Sequence, residues 1–382
     1  MKKQNIEYVL AKKVESCGGR AYYVGGCVRD EILGIKSNDI DIEVHGVEAK
    51  KLFKLLKEIG EPLTRGKQFG IYSLKGHNID IALPRTEKNT GKGHKDFDIF
   101  VDSYIGIKKA AKRRDFTINS IYKDIITGEL IDYFGGIEDL NNKTIKHIDS
   151  NGFIEDPLRV FRGCRYASTL NFNIAPETIN LCKKIDINTL SKERVEEELR
   201  RALLNSTKPS LFFKYLKKAN KDNKWLENAN VKYVDSAKKI INKTKNKYEF
   251  MITSLCVDTN FDISKITNNK KILKYKKNMI DNLNITIKSD YDYYKLFFLL
   301  IDVNDYICLK KITGKDTNKL KNKYKIYKNK ITKQFISGQD LIGIGYEPNK
   351  EFNRTIKQGI ELALQGHKKK EILQKLKNHK WA

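Results

Sequence analysis

The chain has 382 residues, an apolar content of 40% and a formal net charge of +27 at pH 7. Its length predicts about two to four domains, and its apolar content is enough for ordinary cores, which excludes a disordered chain. No stretch approaches the ~20 consecutive apolar residues of a membrane helix. The start of the sequence lacks the apolar segment of a signal peptide. The six cysteines are scattered, without a C-x-x-C pair. The sequence therefore predicts a cytoplasmic protein with reduced cysteines, no membrane contact, no structural zinc and no evident obligate protein partner.

Strand and helix patterns alternate over the first part of the chain. Short strands are predicted at 21–24, 39–44, 70–74 and 78–83, and helices at 28–34 and 48–60. The segment DIDIEV (39–44) alternates polar and apolar residues, so its aspartates share one face of a half-buried strand. Segment 84–100 is polar, glycine-rich and aperiodic, which predicts a long mobile loop in which His94 is expected to be a spectator. This order of elements indicates a small mixed α/β domain.

Helical patterns dominate the rest of the chain. Segments 113–124 and 130–136 complete the α/β domain, and helices are predicted at 155–168, 176–185 and 191–204, the last with a serine cap. The region 206–332 is also helical, and its regularly spaced aromatic residues, as in 291–301, are expected to form a core rather than base-stacking surfaces. Segment 322–330 is interpreted as a linker or a solvated helix, and 338–350 as a break before a last helix pair.

The basic residues are distributed unevenly. Residues 1–205 hold 35 Lys and Arg against 30 Asp and Glu, a net charge of +5, whereas 206–382 hold 39 against 17, a net charge of +22. A polycation of this size attracts nucleic acid through counterion release, although a lysine-rich codon usage would produce the same excess. Arginine shows the opposite distribution, since 12 of the 13 arginines lie before residue 206. Because a planar guanidinium suits phosphates and base edges, we expect the chemistry in the first region.

A glycine pair and two aspartates form the first candidate site. Gly25 and Gly26 follow a predicted strand, where they allow backbone N–H groups to approach a triphosphate, and Arg29 can pair with a phosphate oxygen one turn later. Asp39 and Asp41 point to the same face of a strand and can hold hard cations such as Mg²⁺. A D-x-D pair alone is equally typical of a surface strand, but its position shortly after the glycine motif makes it a catalytic candidate.

The motif GGCVRDEILG followed by DIDIEV resembles the signature of the class II tRNA nucleotidyltransferase and bacterial poly(A) polymerase family, within the polymerase-β-like superfamily. Later segments resemble further family motifs in the same order: RRDFTIN (113–119) its ribose-binding segment, YFGG (133–136) its hinge, EDPLR (155–159) its base-selecting motif and SKERVEEEL (191–199) the motif that braces it. The resemblance is dense over residues 18–204, with a weaker echo in GQDLIGIGYEP near the end. It implies a nucleotidyltransferase head followed by a helical neck, body and tail.

The resemblance also implies roles for four residues outside the first candidate site. Asp80, in NIDIAL, matches a third acidic position of the family only loosely. In RRDFTIN, Arg114 can reach the triphosphate, while Asp115 and Asn119 can read a ribose hydroxyl. Asp115 can equally be a helix cap.

The second candidate site consists of four charged residues at intervals of three, namely Asp156, Arg159, Arg162 and Arg165. With this spacing they lie along one side of the predicted helix. Cytosine and adenine both present an amino donor beside a ring-nitrogen acceptor. Asp156 can accept from the amino group while Arg159 donates to the ring nitrogen, whereas uracil and guanine present the reverse pattern and leave both protein groups unpaired. Arg162 and Arg165 are placed for the triphosphate. A solvated charged stripe is the alternative interpretation.

The expected fold is α/β plus all-α. A polymerase-β-like nucleotidyltransferase head (1–140) precedes a helical neck with the base-selecting helix (141–205) and a lysine-rich helical body and tail that binds tRNA (206–382). The expected reaction is attack of an RNA 3′-hydroxyl on the α-phosphate of CTP or ATP, which releases pyrophosphate, with Mg²⁺ held by Asp39 and Asp41. The implied partners are CTP, ATP and the acceptor arm of tRNA.

Three alternatives to addition of a full CCA end stay open. A poly(A) polymerase shares every motif above, and a partial enzyme would add only the terminal A or only CC. Relatives that add only CC tend to have a shorter loop before RRD; here 27 residues separate Arg85 from Arg113, which disfavours that activity. A non-catalytic RNA-binding protein is disfavoured because Asp39 and Asp41 are both present.

Overall fold

The computed structural model describes residues 5–36, 39–64, 70–89, 97–349 and 351–380. Contacts within the chain divide it into two compact units, 1–224 and 225–382. In the described part of the chain, no helix is both long enough and apolar enough to span a bilayer.

The first unit combines a mixed β-sheet with helices. Its strands are β1 (Arg20–Val24), β2 (Ile40–His45), β3 (Pro62–Thr64), β4 (Ile71–Leu74), β5 (Ile79–Ala82), β6 (Arg85–Asn89), β7 (Phe97–Val101), β8 (Tyr122–Asp124), β9 (Leu130–Ile131), β10 (Thr144–Ile145) and β11 (Asn173–Ile174). Its helices are α1 (Ile6–Glu15), α2 (Gly26–Ile32), α3 (Ala49–Ile59), α4 (Ile107–Lys112), α5 (Gly136–Asn141), α6 (Ser150–Glu155), α7 (Leu158–Leu170), α8 (Pro176–Lys184), α9 (Lys192–Asn205) and α10 (Ser210–Lys218). Seven of the described strands form one sheet in the order β3-β4-β5-β2-β1-β8-β9, in which β2 and β5 run parallel and the other neighbours antiparallel.

Strand β2 shows how an alternating sequence gives the sheet two different faces. Ile42 and Val44 are buried in a core that α1 and α3 complete, with Leu52 and Leu56 from α3. Asp41, directly before Ile42, is exposed on the opposite face. Because successive side chains of a strand point to opposite faces, the same strand supports the core and presents charged groups to a site. This confirms the prediction of a half-buried strand.

The predicted loop at 84–100 is wrong for the residues that the structure describes. β6 and β7 pair antiparallel, with Arg85 opposite Val101 and Asn89 opposite Phe97, so this segment is a two-stranded ribbon. β6 has no apolar residue and β7 has only five residues, so neither carries a period-two pattern long enough to be distinguished from a loop. Residues 90–96, which include His94, lie outside the described residues.

The glycine pair of the YFGG motif connects the sheet to the helical part by a close backbone approach. Gly135 has a positive φ of 73°, and Gly136 begins α5. A Cβ on Gly136 would lie 2.2 Å from the carbonyl oxygen of Thr117, in the short 3-10 helix that follows RRD. Only glycine therefore allows α5 to pack against this turn.

The EDPLR motif does not form one continuous helix with the residues after it, so the prediction of a helix over 155–168 is wrong at its start. α6 ends at Glu155 and α7 begins at Leu158, while Asp156 between them has extended backbone angles of φ −117° and ψ 99°. The cause is Pro157, whose ring disfavours a helical conformation of the preceding residue. Asp156 therefore does not share a helical face with Arg159.

Helix α7 packs between α9 and α10. Its buried face includes Val160, Phe161 and Ala167, and the ring of Phe161 lies 6.3 Å from that of Phe212 in α10. Ser191 occupies the position before α9, as expected for a cap, but its hydroxyl makes no capping hydrogen bond to the helix backbone. Tertiary packing rather than the cap holds this helix in place.

The second unit is helical. Its helices are α11 (Val234–Ile240), α12 (Lys247–Ser254), α13 (Lys270–Asp281), α14 (Asp290–Leu299), α15 (Val303–Ile312), α16 (Asn318–Ile326), α17 (Gly338–Gly343), α18 (Phe352–Leu364) and α19 (Lys369–Lys380). In α14, Tyr293, Tyr294 and Phe297 are buried as expected for a core, whereas Phe298 is 43% exposed. Segment 322–330, interpreted as a linker or solvated helix, is helical and buries Tyr327.

A buried carboxylate links two parts of this second unit. Asp305 in α15 is fully buried and accepts hydrogen bonds from the backbone N–H groups of Lys245 and Asn246 and from the hydroxyl of Tyr275. Because both carboxylate oxygens of Asp305 accept hydrogen bonds, its buried negative charge is stabilised. A separate apolar cluster around Leu341 and the last two helices completes the unit.

Candidate active site

The first unit contains a pocket of about 560 Å³ on the charged face of β2. Its charged lining consists of eight arginines and five aspartates, namely Arg29, Arg113, Arg114, Arg159, Arg162, Arg165, Arg194, Arg201, Asp30, Asp39, Asp41, Asp115 and Asp156. Gly25, Gly26, Asn119 and Tyr166 also line it. Apart from Asp80, all the residues that the sequence proposes for the site therefore meet at one pocket.

At the turn formed by Gly25, an arginine and an aspartate of the pocket approach the backbone. Gly25 has a positive φ of 73° and precedes α2. A Cβ at this position would lie 3.1 Å from Nη1 of Arg114 and 3.7 Å from Oδ2 of Asp41. A side chain here would be strained and would crowd both groups, so glycine keeps the space between cation and carboxylate open.

Two other aspartates affect the pKa of Asp41 near the start of the parallel strands β2 and β5. Asp41 and Asp80 are opposite each other in the parallel register of these strands, and Asp39 precedes β2 and accepts a hydrogen bond from the Asn78 amide. The pKa of Asp41 is raised because surrounding protein withholds water from it, and the Asp80 and Asp39 charges add to this effect while Arg114 opposes it. Asp41 nevertheless reaches solvent in the pocket. Repelling carboxylates open to solvent suit a hard divalent cation.

The same carboxylates do not form a closed metal cage. Among the described residues, no group of three His, Cys, Asp or Glu side chains is close enough to hold an ion. Asp80 does not line the pocket, and its influence on Asp41 is electrostatic. The chain thus fits an open site in which a substrate supplies some ligands, as is usual for Mg²⁺ with nucleotides.

Asp115 is the buried centre of a hydrogen-bond network below the pocket. Oδ2 accepts from Nε of Arg162 at 2.7 Å, and Oδ1 accepts from the Asn119 amide at 3.0 Å and from the N–H of Phe116 at 2.8 Å. Burial would raise the pKa of Asp115, but Arg162 and these hydrogen bonds outweigh it and lower the pKa to about 2. Asn119 in turn accepts from Arg29 at 2.7 Å, so the network connects the two candidate sites.

Asp156 and Arg159 both line the pocket, although they lie on different elements. Oδ1 of Asp156 accepts from the N–H of Leu158 at 3.1 Å and from Nη2 of Arg194 at 3.1 Å. Arg159 donates to the carbonyl oxygens of Gly152 at 2.9 Å and Arg113 at 2.8 Å. Each side chain is therefore held in a defined orientation by partners outside the pair.

The side chains of Arg162 and Arg165 are each held by an acidic partner, which restricts their movement more than binding of a triphosphate requires. Arg162 is paired with Asp115, and Nε of Arg165 donates to Glu198 at 2.5 Å. The guanidinium of Arg165 also lies 4.0 Å from the ring centre of Tyr166. Both still line the pocket, so each can offer its remaining N–H groups.

Several pocket residues were not identified from the sequence. They are Arg113, Arg194, Arg201, Tyr166 and, just behind the pocket, Glu43 and Glu198. Arg194 and Glu198 belong to the segment SKERVEEEL, which the family resemblance assigned only as a brace, and Glu43 continues the alternation of Asp39 and Asp41 by one more step. The motif and the alternation were the only signals in the sequence that could have pointed to these residues. The ion pairs that they form join residues that are distant in the chain.

Comparison with known proteins finds a family model that matches the first part of the chain. Residues 21–146 match the family described as Poly A polymerase head domain. The chain is 36% identical to the Multifunctional CCA protein of Xylella fastidiosa strain M23 over 209 residues and to that of Nitrosospira multiformis over 199 residues. These alignments cover 53% and 51% of this chain and 48% and 46% of the relatives, so the chain spans about half the length of the curated relatives it matches.

Solved structures share the fold over almost the whole chain. The Bacillus stearothermophilus CCA-adding enzyme in complex with CTP gives a TM-score of 0.74 at 20% identity and covers 100% of this chain and 98% of that one. The Thermotoga maritima CCA-adding enzyme complexed with tRNA gives 0.69 at 21% identity, with 97% and 94% covered. The chain therefore shares the fold of these enzymes, a mixed-sheet head followed by a helical neck, body and tail.

These similarities confirm the resemblance to the class II tRNA nucleotidyltransferase and bacterial poly(A) polymerase family, whose head domain residues 21–146 carry. The match of residues 21–146 to this head domain implies the use of a divalent metal.

Proposed function

We propose that the chain adds CMP and AMP, from CTP and ATP, to the 3′ end of tRNA without a nucleic-acid template. The observation that carries this proposal is one pocket in which Asp39, Asp41, a glycine turn and eight arginines meet. Such a pocket suits a triphosphate and a metal. The names of the relatives and the complexes of the fold neighbours with CTP, ATP and tRNA support the same activity.

The reaction would be attack of the tRNA 3′-hydroxyl on the α-phosphate, with pyrophosphate as the leaving group. Asp39 and Asp41 would hold Mg²⁺, which when bound neutralises charge on the reacting phosphates. Arg29 and Arg114 flank the open space at Gly25 and would bind and orient the triphosphate there. Asp115 and Asn119 would read the ribose after exchanging their present partners.

Base selection would depend on the orientation of the Asp156 and Arg159 pair. Two N–H groups of Arg159 are engaged by backbone carbonyls, which leaves the others of its five donors for a base. Arg194 prevents the Asp156 carboxylate from turning away, so a donor and an acceptor are presented together before the nucleotide arrives. Preorganised groups discriminate strongly because a mismatched base leaves them buried and unpaired.

The lysine-rich region 206–382 would bind the acceptor arm of tRNA through its phosphates. Its net charge of +22 supports an interaction that depends on shape and charge rather than on sequence. The same proposal divides the chain into a head (1–140), a neck (141–205) and a body with tail (206–382). It places the activity in the cytoplasm.

The decisive experiment supplies the purified full chain with one tRNA prepared in several forms: lacking CCA, ending in C, ending in CC, and complete. Labelled CTP and ATP are offered separately and together, and the products are sequenced. The proposal expects CTP to extend the first two forms to CC, ATP to extend only the CC form, and no growth of the complete tRNA.

Other products would replace the proposal by a named alternative. Long adenosine tails on unrelated RNA identify a poly(A) polymerase, and use of ATP on the CC form without any use of CTP identifies an enzyme that adds only A. Binding of tRNA without incorporation on any form identifies a non-catalytic RNA-binding protein.

A further inference from the structure

Glu43 is a carboxylate that neither core packing nor metal binding accounts for. It follows Asp39 and Asp41 on the same face of β2, yet it is 1% exposed whereas the two aspartates are exposed. An ionised carboxylate in such a position is costly unless every oxygen is paired. Its partners therefore indicate what the residue does.

Both oxygens of Glu43 are occupied by donors. Oε1 accepts from the hydroxyl of Tyr122 at 2.7 Å and contacts Nε2 of His45 at 2.9 Å. Oε2 lies 3.2 Å from Nη2 of Arg114 and 3.5 Å from Nη2 of Arg113. Glu43 is thus buried and engaged by side chains of the fold on both oxygens, so the three acidic residues of this strand face are not equivalent.

Arg114 is held from three sides and faces the pocket on the fourth. Its guanidinium lies 5.4 Å from the ring centre of Tyr122, and its Nη1 donates to the carbonyl oxygen of Asn119 at 3.4 Å. The same Nη1 would lie 3.1 Å from a Cβ at Gly25, which places it at the glycine turn. Nε of Arg114 is buried without a hydrogen-bond partner in the described part of the chain.

We propose that Glu43 is a positioning residue for the triphosphate: it holds the guanidinium of Arg114, and with it that of Arg113, at the Gly25 turn. The inference rests on the proposed function, because it assumes that a nucleotide occupies this pocket. Glu43 contacts no substrate itself. It keeps two adjacent arginines, which would otherwise repel each other, in one orientation toward the phosphates.

The test is equilibrium binding of ATP and of adenosine to the full chain, in EDTA so that no metal contributes. Glu43→Gln should weaken ATP binding about tenfold, the effect of losing one charge-assisted hydrogen bond, and leave adenosine binding unchanged. The matched control is Asp124→Asn, since Asp124 is a buried carboxylate of the same sheet whose oxygen accepts from the turn N–H groups of Ile126 and Thr127. Asp124→Asn should lower thermal stability without changing the ratio of ATP to adenosine affinity.

A second variant covers the case in which Glu43→Gln does not fold. Tyr122→Phe keeps the ring beside Arg114 and removes only the hydroxyl that donates to Glu43, so it should weaken ATP binding about threefold, as for one hydrogen bond. An unchanged ratio of ATP to adenosine affinity in the folded Glu43 variant, or in Tyr122→Phe if the former is unfolded, overturns the inference. So does a Glu43→Gln protein that binds ATP normally in EDTA but needs more Mg²⁺ for nucleotide addition, because Glu43 would then be a metal ligand. A wild-type protein that binds no nucleotide in EDTA and none in Mg²⁺ would instead remove the proposed function, and this inference with it.

Discussion

The pocket of the first unit and the lysine-rich region 206–382 use positive charge in different ways. In the pocket, guanidinium groups are fixed by specific partners: Arg29 by Asn119, Arg114 by Glu43 and Arg162 by Asp115. In the second unit the cations lie on the surface, as in the Lys295–Glu361 pair, whose side chains are 49% and 40% exposed. With 39 basic against 17 acidic residues in 206–382, most lysines there lack a carboxylate to pair with.

This difference separates two physical tasks. A fixed guanidinium has a direction and can distinguish one arrangement of acceptors from another, whereas a mobile ammonium contributes mainly to the field around the protein. The pocket is therefore expected to respond to changes of single residues, and the lysine-rich region to changes of total charge and ionic strength.

The largest effect is expected at the aspartates of the pocket. Asp41→Ala should lower nucleotide addition at least about 100-fold, since a metal site contributes several kcal/mol to such a reaction. Binding of tRNA should be almost unchanged, because the lysine-rich region provides it. Single-turnover addition and filter binding measure the two quantities.

The matched control for this variant is Glu61→Gln, which breaks an exposed ion pair with Lys75 whose side chains are 62% and 64% exposed. Exposed pairs contribute little, so the control should behave as wild type. If Asp41→Ala retains a tenth or more of the wild-type rate, the assignment of Asp41 to the metal site is wrong.

The next effect concerns stability in acid. The pKa of Asp115 is lowered from 3.8 to about 2, so its pairing stabilises the fold above pH ~4, and this contribution is lost as the pH falls toward 2. Asp115→Asn should reduce the free energy of unfolding at pH 7 by about 2 kcal/mol and flatten its dependence on pH in that window. Urea unfolding at several pH values measures this.

The exposed pair of the second unit provides the contrast. Glu361→Gln removes the partner of Lys295 and should change the free energy of unfolding by less than about 0.5 kcal/mol. Equal losses in Asp115→Asn and Glu361→Gln would show that the two regions do not differ in the way described.

Removal of the guanidinium of Arg159 should change specificity more than rate. In Arg159→Ala, Asp156 still accepts from an amino group but the donor to the ring nitrogen is missing. The preference for CTP and ATP over UTP and GTP should then shrink by about 1–3 kcal/mol, the scale of one bidentate base contact. Incorporation efficiencies for all four nucleotides on the same tRNA measure this; an equal decrease for all four would show that the residue only supports the fold.

The smallest effect per residue is expected in the lysine-rich region. The exposed lysines Lys325, Lys328 and Lys330 can be replaced together by Gln, with the exposed lysines Lys50, Lys51 and Lys54 of α3 as the matched control. The slope of log affinity for tRNA against log salt should flatten by up to about 0.9 for each lost phosphate contact in the first set and stay unchanged in the second. Identical slopes in both sets would indicate that the lysine excess reflects composition rather than binding.

Local chemistry was sufficient to predict much of the head. The alternation in DIDIEV identified a strand with aspartates on one face, and the glycine pair after β1 identified the turn that the structure shows at Gly25. Both depend on interactions within a few residues: the period of a strand and the backbone freedom of glycine. The same reasoning failed at β6 and β7, because β6 has no apolar residue and the ribbon forms only when the two strands pair.

By itself, therefore, the sequence determined the types of elements, the two faces of β2, the concentration of arginine in the first region and the residues that could serve a nucleotide. Only the tertiary structure decided how these residues are oriented. Pro157 removes Asp156 from the helix of Arg159, Arg194 then holds it, and Glu43 becomes buried between Arg113 and Arg114 while Asp41, two residues earlier, remains exposed. The first of these outcomes is a local effect of the proline, whereas the other two depend on partners distant in the chain, because burial and ion pairing are properties of the packed fold and not of spacing along a strand or helix.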